Sequence, residues 1–233
     1  MVKAILFDLD GTLVDLEPRY VDAIRNSIAE VAGDLPEEEL HYAISILLGV
    51  LGQKGFLLIP RTIWKCARKG LKLSIFKSIK FLFVTKGHYE QSRHTWILLE
   101  GASETIKYAT SNFKTAIVTS AFEDEISQAM ASIPQLKEFD VIVSWKDVKK
   151  PKPDKEPVLK ASQLLGVPPD KCVMIGDLPS DILAAKSAGS VSVAYSGVFS
   201  DYTLPHLQKH NPDYIVKDQR ELQNYLKELT LEE

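Results

Sequence analysis

Two aspartates one residue apart, Asp8 and Asp10, directly follow an apolar run and precede Gly11 and Thr12. Carboxylates this close repel unless a cation or a proton lies between them. A hard divalent ion such as Mg2+ suits an oxygen-only site of this kind. The design repeats at Gly176-Asp177-Leu178-Pro179-Ser180-Asp181, again after an apolar run. One acidic turn alone reads equally well as solvated surface, and Ser180 or Asp181 alone as a helix cap. Two acidic strand ends together make a metal site. Thr119-Ser120 closes a third apolar run, where hydroxyls and free N–H groups can hold phosphate oxygens, although a turn former or cap is the plainer reading. A fourth stretch, Lys149-Lys150-Pro151-Lys152-Pro153-Asp154, holds three lysines on a backbone stiffened by two prolines. A fixed ammonium there would balance carboxylates and a phosphoryl group. Lys149 and Lys152 read as solvated loop charges.

The elements that must position these groups are short and regular. Val2–Phe7, Thr115–Val118, Val141–Val143, Cys172–Ile175, Val191–Ala194 and Tyr214–Val216 are strand-length and rich in β-branched or aromatic residues. Amphipathic stretches of helical length alternate with the later runs: 103–111, 123–132, 155–165, 180–188 and 219–229. Strand alternating with helix predicts an α/β fold, a Rossmann-like parallel sheet flanked by helices, with ligands gathered at the carboxyl ends of its strands. The interval 16–98 breaks the rhythm. Helical text over 19–31, 36–48, 60–69, 74–83 and 88–98, broken by glycines at 33, 49, 52, 55, 70 and 87, predicts an inserted all-helical cap domain. The expected division is a core of 1–15 and 99–233 with a cap of 16–98, a lid over the strand end that carries Asp8 and Asp10.

Composition narrows the function classes. The 233 residues are 45% hydrophobic and 25% charged, as in an ordinary globular protein. A net charge of −3 argues against nucleic-acid binding by bulk electrostatics. Two cysteines, Cys66 and Cys172, without CxxC spacing exclude a thiolate zinc site and a disulfide framework and suit a reducing cytoplasm. The first apolar run is interrupted too soon by Asp8 to serve as a signal peptide, and no run reaches the length of a membrane span. The expectation is a cytoplasmic protein without integral membrane association.

Taken in order, the four motifs resemble the haloacid dehalogenase superfamily, specifically its phosphatases with a helical cap inserted after the first motif. The stretch from Lys150 to Asp154, and that from Gly166-Val167-Pro168-Pro169 through Gly189, is most similar to phosphoglycolate phosphatase-like members. The resemblance implies that Asp8 is the nucleophile and Asp10 the general acid and base. It further implies Mg2+ held by Asp8, the backbone carbonyl of Asp10, Asp177 and Asp181. Thr119, with Ser120 where relatives often carry Asn, and Lys150 would hold the phosphoryl oxygens. Lys150 is selected because the family's lysine stands directly before Pro-x-Pro-Asp. The implied activity is Mg2+-dependent hydrolysis of a small-molecule phosphoester through an aspartyl phosphate. A phosphosugar mutase of the same superfamily and a catalytically silent binding protein on this fold stand as alternatives.

Residues 53–94 hold ten Lys or Arg against one acid, Glu90. Arg61, Lys65, Arg68, Lys69 and Lys72 recur at helical spacing. A solvated face, attraction of an anionic substrate and contact with an anionic membrane surface or another partner all fit that pattern.

Overall fold

The computed structural model describes residues 1–33, 35–36, 39–40, 43, 63–197 and 200–231. The chain divides into two compact units, one of Met1–Asp15 with Trp96–Glu233, the other of Leu16–Thr95.

The first unit is a six-stranded parallel sheet. Its elements run β1 (Ala4–Phe7), α3 (Ala102–Asn112), β2 (Lys114–Val118), α4 (Glu123–Ser132), β3 (Val141–Val143), α5 (Glu156–Leu165), β4 (Cys172–Gly176), α6 (Pro179–Ala188), β5 (Val191–Tyr195), α7 (Ser200–Gln208), β6 (Tyr214–Val216) and α8 (Gln219–Leu231); α1 and α2 belong to the second unit. The strand order is β3-β2-β1-β4-β5-β6, which puts β1 and β4 side by side where the order reverses. Phe7 lies opposite Ile175, so Asp8 and Gly176 leave the sheet at the same level.

Alternation along the strands explains the layers. Ile5 and Phe7 of β1 point with Val173 and Ile175 into a core closed by Ile106 of α3, Ala129 of α4 and Leu222 and Leu226 of α8. Ala4 and Leu6 point the other way, with Met174, into a core closed by Val158 and Ala161 of α5 and Ala184 of α6. A strand buried on both faces must be apolar at every position, as β1 is. At the amino ends of the strands, two matching clamps pin the edges. Asp140, just before β3, accepts from the N–H of Thr115 at 2.7 Å, and Asp213, just before β6, accepts from that of Ser192 at 2.8 Å.

In the second unit, a π-helical turn over Glu17–Val21 leads into α1 (Asp22–Ala32), which packs against α2 (Ile75–Ser92). Glu30 of α1 pairs with Lys80 at 3.6 Å and with His88 at 3.3 Å. Tyr20 and Tyr89 stack at 5.3 Å, and the Ser92 hydroxyl donates to the Arg19 carbonyl at 2.8 Å. Two expectations are corrected here. Helices 74–83 and 88–98 are one helix through Gly87, whose intrinsic cost of about 1 kcal/mol is small beside the packing of a continuous face. That helix stops at Ser92, and from Trp96 the chain is part of the first unit, where the Asp15 N–H donates to Ile97 O at 2.9 Å and the Leu99 N–H to Leu13 O at 2.9 Å. Most of the helix expected over 36–48 and residues 60–62 of that expected over 60–69, with Arg61, lie outside the described residues; 63–70 is helical and closes in a π-helical turn over Cys66–Gly70. Helix α7 had no counterpart in the sequence reading.

Candidate active site

The site is built where β1 and β4 end. Asp8 is held by its own N–H, which donates to Ile175 O at 2.8 Å, so the two strands jointly fix the first carboxylate. Gly11, at φ +82°, then turns the chain back, its N–H donating to Val14 O at 2.8 Å; a side chain would strain that conformation. Asp10 lies in this turn, half-buried.

From β4 comes Asp177, and from the first turn of α6 comes Asp181. Asp8, Asp177 and Asp181 are buried, and each offers an oxygen within 4.8 Å of the others. Asp181 does two jobs. Its Oδ2 accepts the N–H of Leu178 at 3.0 Å, capping α6, while Oδ1 faces Lys152 Nζ at 2.6 Å. The capping alternative and the site reading therefore describe two oxygens of one carboxylate. Gly176 makes this approach feasible, since a β-carbon there would lie 2.3 Å from Asp181 Cγ.

The lysine in the site is Lys152, which corrects the expectation of Lys150. Its ammonium donates to Asp8 Oδ1 at 2.8 Å and to Val118 O at 2.8 Å, and the side chain is buried. Lys149 and Lys150 are exposed because Glu156, at the start of α5, accepts both of their backbone N–H groups at 2.8 and 3.0 Å. A turn closed by the Asp154 N–H on Pro151 O at 3.0 Å then carries Lys152 inward.

Thr119 is buried at the end of β2. Its N–H donates to Val143 O at 2.9 Å and its hydroxyl oxygen accepts the N–H of Ala121 at 3.0 Å, which leaves the hydroxyl proton to donate elsewhere. Ser120 beside it is exposed. Two further residues support the site without having been singled out from sequence. The Thr12 hydroxyl donates to Asp177 Oδ1 at 3.3 Å, and Gln219 of α8 donates from Nε2 to Thr12 O at 2.6 Å. Thr12 stands inside the first motif; nothing near Gln219 in sequence marks it.

Electrostatics follow from burial and crowding. Burial, then the like charges of Asp8 and Asp181, pushes the Asp177 carboxyl well above the usual carboxylate range. Burial raises Asp181 to about 6 against the pull of Lys152. Burial alone would lower the Lys152 ammonium, but Asp181 and Asp8 together hold it above its ordinary value. Three carboxylates against one ammonium leave two negative charges uncompensated when all are ionised. That excess, carried on oxygen, fits a divalent hard cation. Asp10 contributes no carboxylate to this group of three.

Comparison with known proteins points the same way. The model of the haloacid dehalogenase-like hydrolases matches residues 2–189. A protein of Caldanaerobacter subterraneus subsp. tengcongensis, provisionally named pyrophosphatase PpaX, is 30% identical over 97% of this chain and 95% of its own length. The phosphorylated carbohydrates phosphatase of Thermotoga maritima is 33% identical over 81% of this chain and 82% of its own. In fold, a HAD family hydrolase from Deinococcus radiodurans, solved with phosphate and sodium, superposes with a TM-score of 0.79 at 20% identity, covering 99% of this chain and 97% of that one.

Proposed function

The chain belongs to the haloacid dehalogenase-like hydrolases, and we propose that, as a phosphatase of that family, it hydrolyses a small soluble phosphoester through an aspartyl phosphate on Asp8, with Mg2+. The observation that carries this reading is the position of Asp8, at the reversal of the strand order, with Lys152 on one of its oxygens and Asp177 and Asp181 beside it. Mg2+, held by Asp8, Asp177, Asp181 and the Asp10 carbonyl, would supply positive charge against the anionic phosphoryl group.

Lys152 engages Oδ1 of Asp8, which fixes the carboxylate's orientation and leaves Oδ2 to attack phosphorus. As the Asp8–phosphorus bond forms, the bond from phosphorus to the ester oxygen breaks, and Asp10 gives its proton to the departing alkoxide. Water then attacks phosphorus, Asp10 takes the water's proton, and inorganic phosphate leaves with Asp8 regenerated. Thr119 and Lys152 donate to the phosphoryl oxygens during both steps. Thr12 and Gln219 hold the Asp8–Thr12 loop against Asp177.

The relatives' names, a pyrophosphatase and a phosphatase of phosphorylated carbohydrates, support a small phosphorylated substrate. The test is phosphate release from a panel that includes an aryl phosphate, sugar phosphates, phosphoglycolate and pyrophosphate. Release that requires Mg2+, stops with chelator and falls by several orders of magnitude in Asp8→Asn is expected. Full turnover in excess chelator would overturn the reading. Transfer of phosphate to a second sugar hydroxyl without free phosphate would replace hydrolase by mutase.

A further inference from the structure

We propose that the outward face of α2 docks on the surface of an anionic lipid bilayer. Helix α2 buries one side and exposes an apolar stripe on another. Ser78, Phe81 and Thr85 face inward. Ile75, Phe76, Ile79 and Phe83 fall within an arc of about 100° on another side of the helix, at 100° per residue. All four are exposed, Phe76 by 85% and Phe83 by 73%. Scattered exposed apolar residues are ordinary, but two phenylalanines and two isoleucines in one stripe over two turns mark an interaction surface.

Charge identifies the occupant. From Ile63 to Tyr89 the sequence holds seven Lys or Arg and no Asp or Glu. All seven are exposed. Lys86 lies within the apolar arc and Lys80 on its flank, with Lys77 beyond. Lys77 and Lys86 have no carboxylate partner among the described residues, while Lys80 reaches Glu30 at 3.6 Å. The first acid beyond, Glu90, is paired with Arg93 at 3.2 Å. An exposed apolar stripe edged by lysines, with no acids for 27 positions, is complementary to acyl chains beneath anionic headgroups. A second copy of the chain is disfavoured as the occupant, because apposing the same face brings lysine against lysine. The helix would lie in the interface rather than cross it, since no helix among the described residues is long and apolar enough to span a membrane.

The test is co-sedimentation of the full chain with vesicles of phosphatidylcholine alone and of phosphatidylcholine mixed with phosphatidylglycerol. Binding is expected only to the mixed vesicles and should weaken with added salt. Phe76→Ser with Phe83→Ser should reduce partitioning at least about tenfold, and Lys86→Gln, within the arc, about fivefold. Unchanged thermal unfolding of these surface variants shows that they fold. No binding to mixed vesicles, equal binding to both compositions, or binding unaffected by the phenylalanine changes would each overturn the proposal. A concentration-dependent dimer that disappears in the Phe76→Ser, Phe83→Ser protein, without vesicle binding, would assign the face to a second copy instead.

Discussion

The Asp181 side chain fills the space where a β-carbon on Gly176 would stand: that carbon would sit 2.3 Å from Asp181 Cγ and 2.4 Å from Asp181 Oδ2. Gly176→Ala must therefore push Asp181 away from Lys152, displace α6 or bend β4. A misplacement on the order of 1 Å in a positioned group can cost about 10²-fold in rate. Steady-state kinetics of Gly176→Ala should show a loss of this size in kcat/KM, and near-parental activity would mean that the Asp181 contact is dispensable.

Lys152→Met and Lys150→Met separate two neighbours that sequence alone ranks the other way. The buried lysine, in contact with Asp8 and Asp181, should lose turnover about 10²–10³-fold on removal. It should also destabilise the metal-free protein, by about 3–5 kcal/mol, because buried carboxylates lose their counter-charge. Lys150→Met, at an exposed position, should stay within twofold of the parent. Chemical denaturation beside kinetics distinguishes a folded, inactive Lys152→Met from an unfolded one, and equal losses in both variants would contradict the assignment of Lys152.

The response to Mg2+ should depend on pH. Asp181 is raised to about 6 and Asp177 is raised well above its ordinary value, so the folded, metal-free protein binds these protons more tightly than the unfolded chain. The sign follows: these two groups weaken the fold as pH rises from the unfolded carboxylate value through the folded ones. A divalent cation competes with those protons and relieves the same repulsion. The rise in Tm on adding Mg2+ should accordingly be larger at pH 8 than at pH 5. A shift equal at both values would argue that the ion binds elsewhere.

Asp213 predicts the opposite slope. Burial acts to raise it, but the Ser192 side-chain and backbone bonds and Lys186 outweigh that, and its carboxyl sits below the ordinary value. Its contribution to stability is present above the unfolded pKa and lost as pH falls through the folded one. Asp213→Asn should be less stable than the parent near neutral pH, by about 1 kcal/mol, with the gap closing in acid. Urea denaturation of both proteins across that range tests it; a gap independent of pH would remove the carboxylate's charge from the account.

The six strands were legible because a sheet buried on both faces demands unbroken apolar runs, and Ala4–Phe7 or Cys172–Ile175 can be little else. That Asp8 and Asp177 would come together was legible for the related reason that charges directly after such runs stand at the carboxyl ends of adjacent strands, and Asp181 follows one helical turn later. The choice among three lysines was not, since it turns on Glu156, two residues past the motif's end, taking the N–H groups of Lys149 and Lys150. Gln219 was illegible too: it reaches Thr12 across 207 positions, a distance that local spacing cannot report. Gly87 misled because glycine's helical cost is read locally, whereas α2 is held by packing on α1.

The edge strands β3 and β6 are three residues each, and elements with few buried contacts open locally at lower free energy than core strands. Asp8 and Asp177 ride on the innermost pair, β1 and β4, but the Thr119 N–H is tied to Val143 O at the far end of β3. Transient fraying of that edge would loosen Thr119 while the carboxylates stayed in register. Amide hydrogen exchange should then find Thr119 far less protected than Asp8, so this corner of the strand ends would open long before the fold as a whole.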